Sequence, residues 1–256
     1  MEKIQQLQAK LVENNIDLAL VTTPHNIFYF SKFNSDPHER LLALAVFKDA
    51  EPFIICPAME VPDVIATGFP YEVVGHLDTE NAWDIVEATI AKRDVALNNI
   101  AIEKAQLTVE RYEVLQELYP TVTFTRIDET INAMRVIKSE AELEIMRRAA
   151  AMADFAIQVG VDALKEGKTE MDVLNEIESA VKAKGYAMSF DTMVLFGEKS
   201  ASPHGIPGNK PLAAGEMVLF DLGVIVDGYC SDITRTVAYK TVNEKQEEIY
   251  NAVRAA

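Results

Sequence analysis

Asp227-Gly228 lies between two runs rich in β-branched and aromatic residues, 220–226 and 229–236. No other dipeptide in the chain constrains the local fold as strongly. Asp-Gly tolerates the two positive φ angles of a type I′ turn, whose twist matches that of an antiparallel ribbon. A two-residue loop then fixes the register: Val226 faces Tyr229, Gly223 faces Asp232 and Asp221 faces Thr234. Side chains alternate along each strand. One face therefore carries Asp221, Gly223, Ile225, Cys230, Asp232 and Thr234, and the other carries Phe220, Leu222 and Val224 as core. A one-residue slip would exchange the faces.

Asp221 and Asp232 are diagonal neighbours in that register, about 7–8 Å apart at the backbone. Aspartate is depleted in strand interiors, and two like charges on one face repel unless a cation lies between them. Arg235 falls on the opposite face and does not neutralise them. The pair is therefore a candidate holder of divalent cations, with Gly223 leaving room beside it. From spacing alone, a solvated pair of strand aspartates remains the alternative. Ser202-Pro203-His204-Gly205-Ile206-Pro207-Gly208 precedes the hairpin. Its prolines and glycines restrict the loop, and His204 could donate to a substrate carbonyl or a developing oxyanion. A plain surface histidine is the other reading. His25, His38 and His76 have no partner pattern and read as structural or surface residues. Asp36-Pro37-His38-Glu39-Arg40 reads as a polar loop. Cys230 reads as a small buried hydrophobe, since no general base adjoins it. Nucleophile-elbow, P-loop, C-x-x-C and H-E-x-x-H motifs are absent.

The rest of the chain divides by periodicity. Ile4, Leu7 and Leu11 recur at helical spacing. Residues 17–21, 41–47 and 53–56 read as strands, the last two separated by Asp49-Ala50-Glu51-Pro52, and Thr23-Pro24-His25-Asn26 reads as a turn. Residues 83–92 and 109–118 read as helices, and 100–103 and 122–125 as strands. Alternating helices and strands predict an α/β domain over residues 1–126. Residues 127–256 then form a second domain of α+β type. Ser139 with Glu142 predicts a capping box for a helix over 140–164. Thr169 with Asp172 starts another, and Gly185 stands where a C′ glycine ends it.

Composition narrows the partners. The 256 residues carry 24 basic and 40 acidic side chains, a net charge of −16. That balance disfavours a nucleic-acid partner and docking on anionic lipid, since both need clustered Lys and Arg. The longest apolar run, 41–47, is far shorter than the ~20 residues of a membrane helix. The first ten residues show no signal-peptide pattern. Two cysteines distant in sequence make no disulfide framework, so a reducing cytoplasm is expected.

The run Val218-Leu219-Phe220-Asp221-Leu222-Gly223, followed by Asp227-Gly228-Tyr229-Cys230-Ser231-Asp232-Ile233-Thr234-Arg235-Thr236 and preceded by Pro203-His204-Gly205, resembles the pita-bread metallopeptidases. These include proline dipeptidases, aminopeptidase P and methionine aminopeptidases. Asn26-Ile27-Phe28-Tyr29-Phe30-Ser31 and Pro37-His38-Glu39-Arg40 resemble the creatinase/prolidase N-terminal domain, which methionine aminopeptidases lack. Arg135-Val136-Ile137-Lys138-Ser139-Glu140-Ala141-Glu142 resembles the start of the family's catalytic domain. The likeness spans the whole chain and points to the short bacterial Xaa-Pro dipeptidases.

The resemblance implies a pita-bread catalytic domain with two divalent metal ions, Mn(II) first, Zn(II) or Co(II) otherwise. Asp221 would bind one ion, Asp232 would bridge both, and His204 would contact substrate near the scissile bond. Hydroxide activated between the ions would cleave Xaa-Pro dipeptides. Creatinase shares the fold without the metal aspartates, so their presence favours the peptidase branch. The family site also needs a later His and two Glu. No His follows Asp232 here, and Glu244, Glu247 and Glu248 read as a solvated helix start. The expectation is therefore the N-terminal part of a longer enzyme, its pita-bread domain incomplete and the 256-residue chain inactive alone. A homodimer is also implied. Aminopeptidase P and a non-catalytic binding or dimerisation fragment are the alternatives.

Overall fold

The computed structural model describes residues 2–256, which cluster into two compact units, one ending at Ile137 and the other beginning at Lys138.

The first unit is built on a mixed sheet. Its elements in chain order are α1 (Glu2–Glu13), β1 (Leu18–Val21), α2 (Pro24–Ser31), β2 (Ala43–Phe47), β3 (Phe53–Pro57), α3 (Val61–Ala66) and β4 (Glu72–His76). They continue with α4 (Ala82–Ala91), β5 (Asn99–Ile102), α5 (Val109–Leu118), β6 (Thr123–Arg126) and α6 (Asp128–Val136). The sheet order is β4-β3-β2-β1-β5-β6, with β1-β2 and β2-β3 antiparallel and the other pairs parallel. Ala19, Val21, Leu44, Val46 and Ile54 bury one face against α1, α2, α3 and α6. Leu18, Leu20, Ala45, Phe47, Phe53 and Ile100 bury the other against α4 and α5. Both faces are covered, which is why β1 to β3 read as continuous apolar runs rather than alternating ones.

Two readings are corrected here. The turn expected at 23–26 is the start of α2, with Pro24 in the first helical turn. Proline suits that position because the missing N–H would have no helical partner. The domain division falls after Ile137, not after residue 126, because α6 belongs to the first unit. Ile127 and Ile131 are buried in its core. The Tyr29 hydroxyl donates to the Met134 carbonyl at 3.0 Å, and the Arg135 guanidinium donates to Asn26 Oδ1 at 2.9 Å.

The second unit comprises α7 (Glu140–Ala163), α8 (Glu170–Ala183), β7 (Ala187–Met188), β8 (Met193–Phe196), β9 (Met217–Leu222), β10 (Val224–Val226), β11 (Tyr229–Cys230), β12 (Ile233–Ala238) and α9 (Glu244–Ala255). Both expected capping boxes form, at Ser139/Glu142 and Thr169/Asp172, and Gly185 has φ +84° just beyond α8. The strands form two small sheets, of order β11-β10-β7 and β12-β9-β8. Val194, Phe196, Val218, Phe220, Leu222, Val224 and Val226 pack with Ala149, Ala153, Ala156, Val173 and Ile177 of the helices. The approach is close at Gly160 of α7, where an added Cβ would stand 2.7 Å from the Phe220 ring and 2.8 Å from Ile177 Cδ1.

Candidate metal centre

The hairpin forms in the register its turn dictates. Asp227 (φ +47°) and Gly228 (φ +79°) both take positive φ, as a type I′ turn requires. Val226 pairs with Tyr229, Ile225 with Cys230, Leu222 with Ile233 and Asp221 with Thr234. Arg148 of α7 pairs with the Asp227 carboxylate, and the Tyr229 hydroxyl donates to Glu142 Oε1 at 2.7 Å. The tip of the hairpin is thus tied to the long helix.

Halfway along, the ribbon leaves one sheet and enters the other. The joint lies at Gly223 and Val224, where Ser231 faces Val224 and its carbonyl comes up against Gly223. Ser231 N–H donates to the Val224 carbonyl at 2.9 Å, and Val224 N–H donates to Ser231 Oγ at 2.9 Å. Ser189 Oγ donates to the Ser231 carbonyl at 2.9 Å, while Ser189 N–H donates to the Gly223 carbonyl at 2.9 Å. A Cβ on Gly223 would lie 1.9 Å from the Ser231 oxygen and 2.2 Å from Ser189 Oγ. Glycine is therefore required by a backbone crossing, which corrects the expectation that it makes room for an ion. Ser189 and Ser231 are structural residues that sequence reasoning missed, since the contact of Ser189 with the Ser231 carbonyl spans 42 positions.

Phe220 and Leu222 are buried under the helices, whereas Asp221 is half-buried on the opposite face. Cross-strand partners share a face. Met193 and Thr234 therefore accompany Asp221, and Leu195 accompanies Leu219 on that side. Thr234 Oγ1 donates to Asp221 Oδ1 at 3.1 Å, fixing the carboxylate's orientation. Asp232 is exposed and immediately precedes β12, with Ile233 turned toward the core. Neither aspartate has an ion-pair partner among the described residues. Arg235 pairs with Phe220 in the ladder and donates from its guanidinium to the Thr234 carbonyl at 2.8 Å.

His204 is exposed at a turn. Gly205 N–H donates to the Ser202 carbonyl at 3.3 Å, and Gly205 sits so close to Leu195 that a Cβ would meet its Cδ1 at 2.6 Å. The loop therefore rests on the sheet face that carries Asp221. Among the described residues, His204 makes no hydrogen bond to either aspartate.

Hard carboxylate oxygens without a competing cation suit a divalent ion in donor chemistry. In number they fall short of a coordination shell. Among the described residues no three His, Cys, Asp or Glu side chains gather as a metal-holding group. Cys230 is exposed, which corrects its reading as a buried hydrophobe; its strand pairs on one side only, at the margin of the small sheet. His76 is buried with Nε2 2.9 Å from the Leu41 carbonyl, a structural role. No helix among the described residues is long and apolar enough to cross a membrane.

Residues 3–137 match the creatinase/prolidase N-terminal domain, and residues 144–256 match metallopeptidase family M24. A peptidase of Staphylococcus saprophyticus is 48% identical over 255 residues, covering 99% of this chain and 71% of that protein. Among solved structures, the Xaa-Pro dipeptidase from Bacillus anthracis is 30% identical with a TM-score of 0.88, over 99% of this chain and 69% of its own. The prolidase from Pyrococcus horikoshii is 28% identical with a TM-score of 0.87, over 100% and 70%. The α/β N-terminal domain and the pita-bread architecture expected from the motifs are thereby shown, and the chain belongs to metallopeptidase family M24, with a creatinase/prolidase N-terminal domain preceding its peptidase region.

Proposed function

We propose that this M24 peptidase is a metal-dependent Xaa-Pro dipeptidase that cleaves the bond before proline. The observation that carries the reading is the shared sheet face: Asp221 held by Thr234, Asp232 immediately before β12, and the His204 loop seated on Leu195 of the same sheet. The likeness to solved Xaa-Pro dipeptidase and prolidase structures along the whole chain supports the substrate class.

Membership of the family implies divalent metal ions. Asp221 and Asp232 would hold two of them, Mn(II) being the first choice for hard oxygen donors. Bound there, the ions supply Lewis acidity and a nucleophile drawn from water. Thr234 keeps one Asp221 oxygen oriented, as supporting hydrogen bonds do for ligating carboxylates. His204 donates to the carbonyl oxygen of the residue before proline, where negative charge develops. Free Cys56 and Cys230 fit a reducing cytoplasm, and a homodimer follows from the resemblance alone.

The test is hydrolysis of Leu-Pro and Leu-Pro-Pro by the product of the complete reading frame that contains this chain, loaded with Mn(II). Preference for Leu-Pro is expected, and preference for Leu-Pro-Pro would move the protein to the aminopeptidase P branch. The 256-residue chain alone is expected to be inactive, and manganese-dependent turnover by it would overturn the ligand assignment.

A further inference from the structure

Glu170, the first residue of α8, is fully buried at 0% exposure. An acid in the first turn of a helix is ordinarily solvated and serves the helix dipole. The caps of α8 are supplied instead by Thr169 and Asp172, so Glu170 is not needed there. Its carboxylate divides between the two stems of the His204 loop. Oε1 accepts from the Phe196 N–H at 2.9 Å, where β8 ends. Oε2 accepts from the Gly208 N–H at 2.8 Å, beyond His204, and from Lys199 Nζ at 2.6 Å. The Glu170 N–H donates in turn to the Lys210 carbonyl at 3.2 Å, and Met171 N–H to the Gly208 carbonyl at 3.2 Å.

Between these stems a short 3-10 helix, Gly197–Ala201, is closed by local hydrogen bonds, and the segment around His204 that follows it is open. Ser202, Pro203 and His204 are exposed, and Ile206 is 81% exposed. Gly205 against Leu195 is its close apolar contact. A buried carboxylate persists only when paired and hydrogen-bonded, and every bond of this one is spent on the loop's two ends. We propose that Glu170 is a positioning residue that fixes His204 over the sheet face bearing Asp221 and Asp232. The proposal rests on the reading that His204 meets the substrate.

Hydrogen exchange on the 256-residue chain tests the positioning without any peptidase assay. Glu170→Ala should speed amide exchange in 196–209 by about tenfold or more, with α7 and β9 unchanged. Glu170→Gln, which keeps one carbonyl acceptor, should recover part of the protection, and it carries the test if Glu170→Ala does not fold. Unchanged exchange in the loop, or an equal rise throughout 138–256, overturns the proposal. In the complete-frame enzyme, Glu170→Gln should lower kcat for Leu-Pro about tenfold at unchanged manganese stoichiometry; wild-type kcat would overturn the catalytic consequence. His204→Ala should leave exchange in the stems unchanged and lower kcat. If it leaves kcat intact, the role of His204 fails while the loop clamp stands.

Discussion

The two sheets at the centre of the units use their faces differently. In the first unit both faces of β1 to β3 are closed by helices, and every residue of these strands is buried. In the second, β9 alternates, with Phe220 under α7 and α8 and Asp221 half-buried on the far side. A strand with one open face can place polar groups there without losing its core, since adjacent residues serve opposite sides. A core ring and an open carboxylate are thus separated by a single residue along the chain.

The largest test of that separation is Phe220→Ala, expected to destabilise the second unit by about 3–5 kcal/mol through the cavity left against α7 and α8. Chemical denaturation would measure it, and a loss below about 1 kcal/mol would mean that this ring does not carry the core. In the first unit the comparable polar anchor is Asp17. Burial alone pushes its carboxyl upward, but hydrogen bonds from Lys48 and from the backbone N–H groups of Asn98 and Asn99 outweigh this and hold it below the usual carboxylate range. A pKa lowered by folding adds stability that is complete above the ordinary value and is lost as pH falls through the folded-state value. Asp17→Ala should cost about 1–3 kcal/mol near neutrality, and the gap to wild type should narrow below about pH 4. A gap independent of pH would contradict this.

Asp221→Asn should shift stability by no more than about 0.5 kcal/mol, in contrast to its neighbour Phe220, yet weaken Mn(II) binding measured by electron paramagnetic resonance. Unaltered manganese binding would remove Asp221 from the site. The smallest perturbation is alkylation of the native protein. Burial raises the Cys56 thiol to about 12, while Cys230 is exposed. Iodoacetamide should label Cys230 and spare Cys56 by mass spectrometry; equal labelling would contradict the closed face of β3.

Much of this was legible because local chemistry decided it. Asp227-Gly228 set the turn, the turn set the register, and the register placed Asp221 and Thr234 opposite each other. The caps at Ser139 and Thr169 marked the starts of α7 and α8 for the same reason. What escaped depended on distant partners. Pro24 suits a turn or a helix start equally well, and Phe30 and Ile27 packing on the sheet select the helix. Residues 128–136 fall with the second domain by sequence, and only the packing of Ile131 in the first core places them in the first unit. Gly223 suggested open space, whereas Ser231 and Ser189 fill it. Nothing local marks Glu170, since its three acceptor contacts come from residues 26 to 38 positions away.

The hairpin also bears on the order of assembly. Its strands are joined by a two-residue turn, so pairing them costs little loop entropy and belongs to the microsecond class of folding events. The parallel pairs β3-β4 and β1-β5 instead bring together segments separated by whole helices, which is slower. The face that carries the aspartates is therefore expected to be in register early, with the helices that bury its other side docking onto a ribbon already formed.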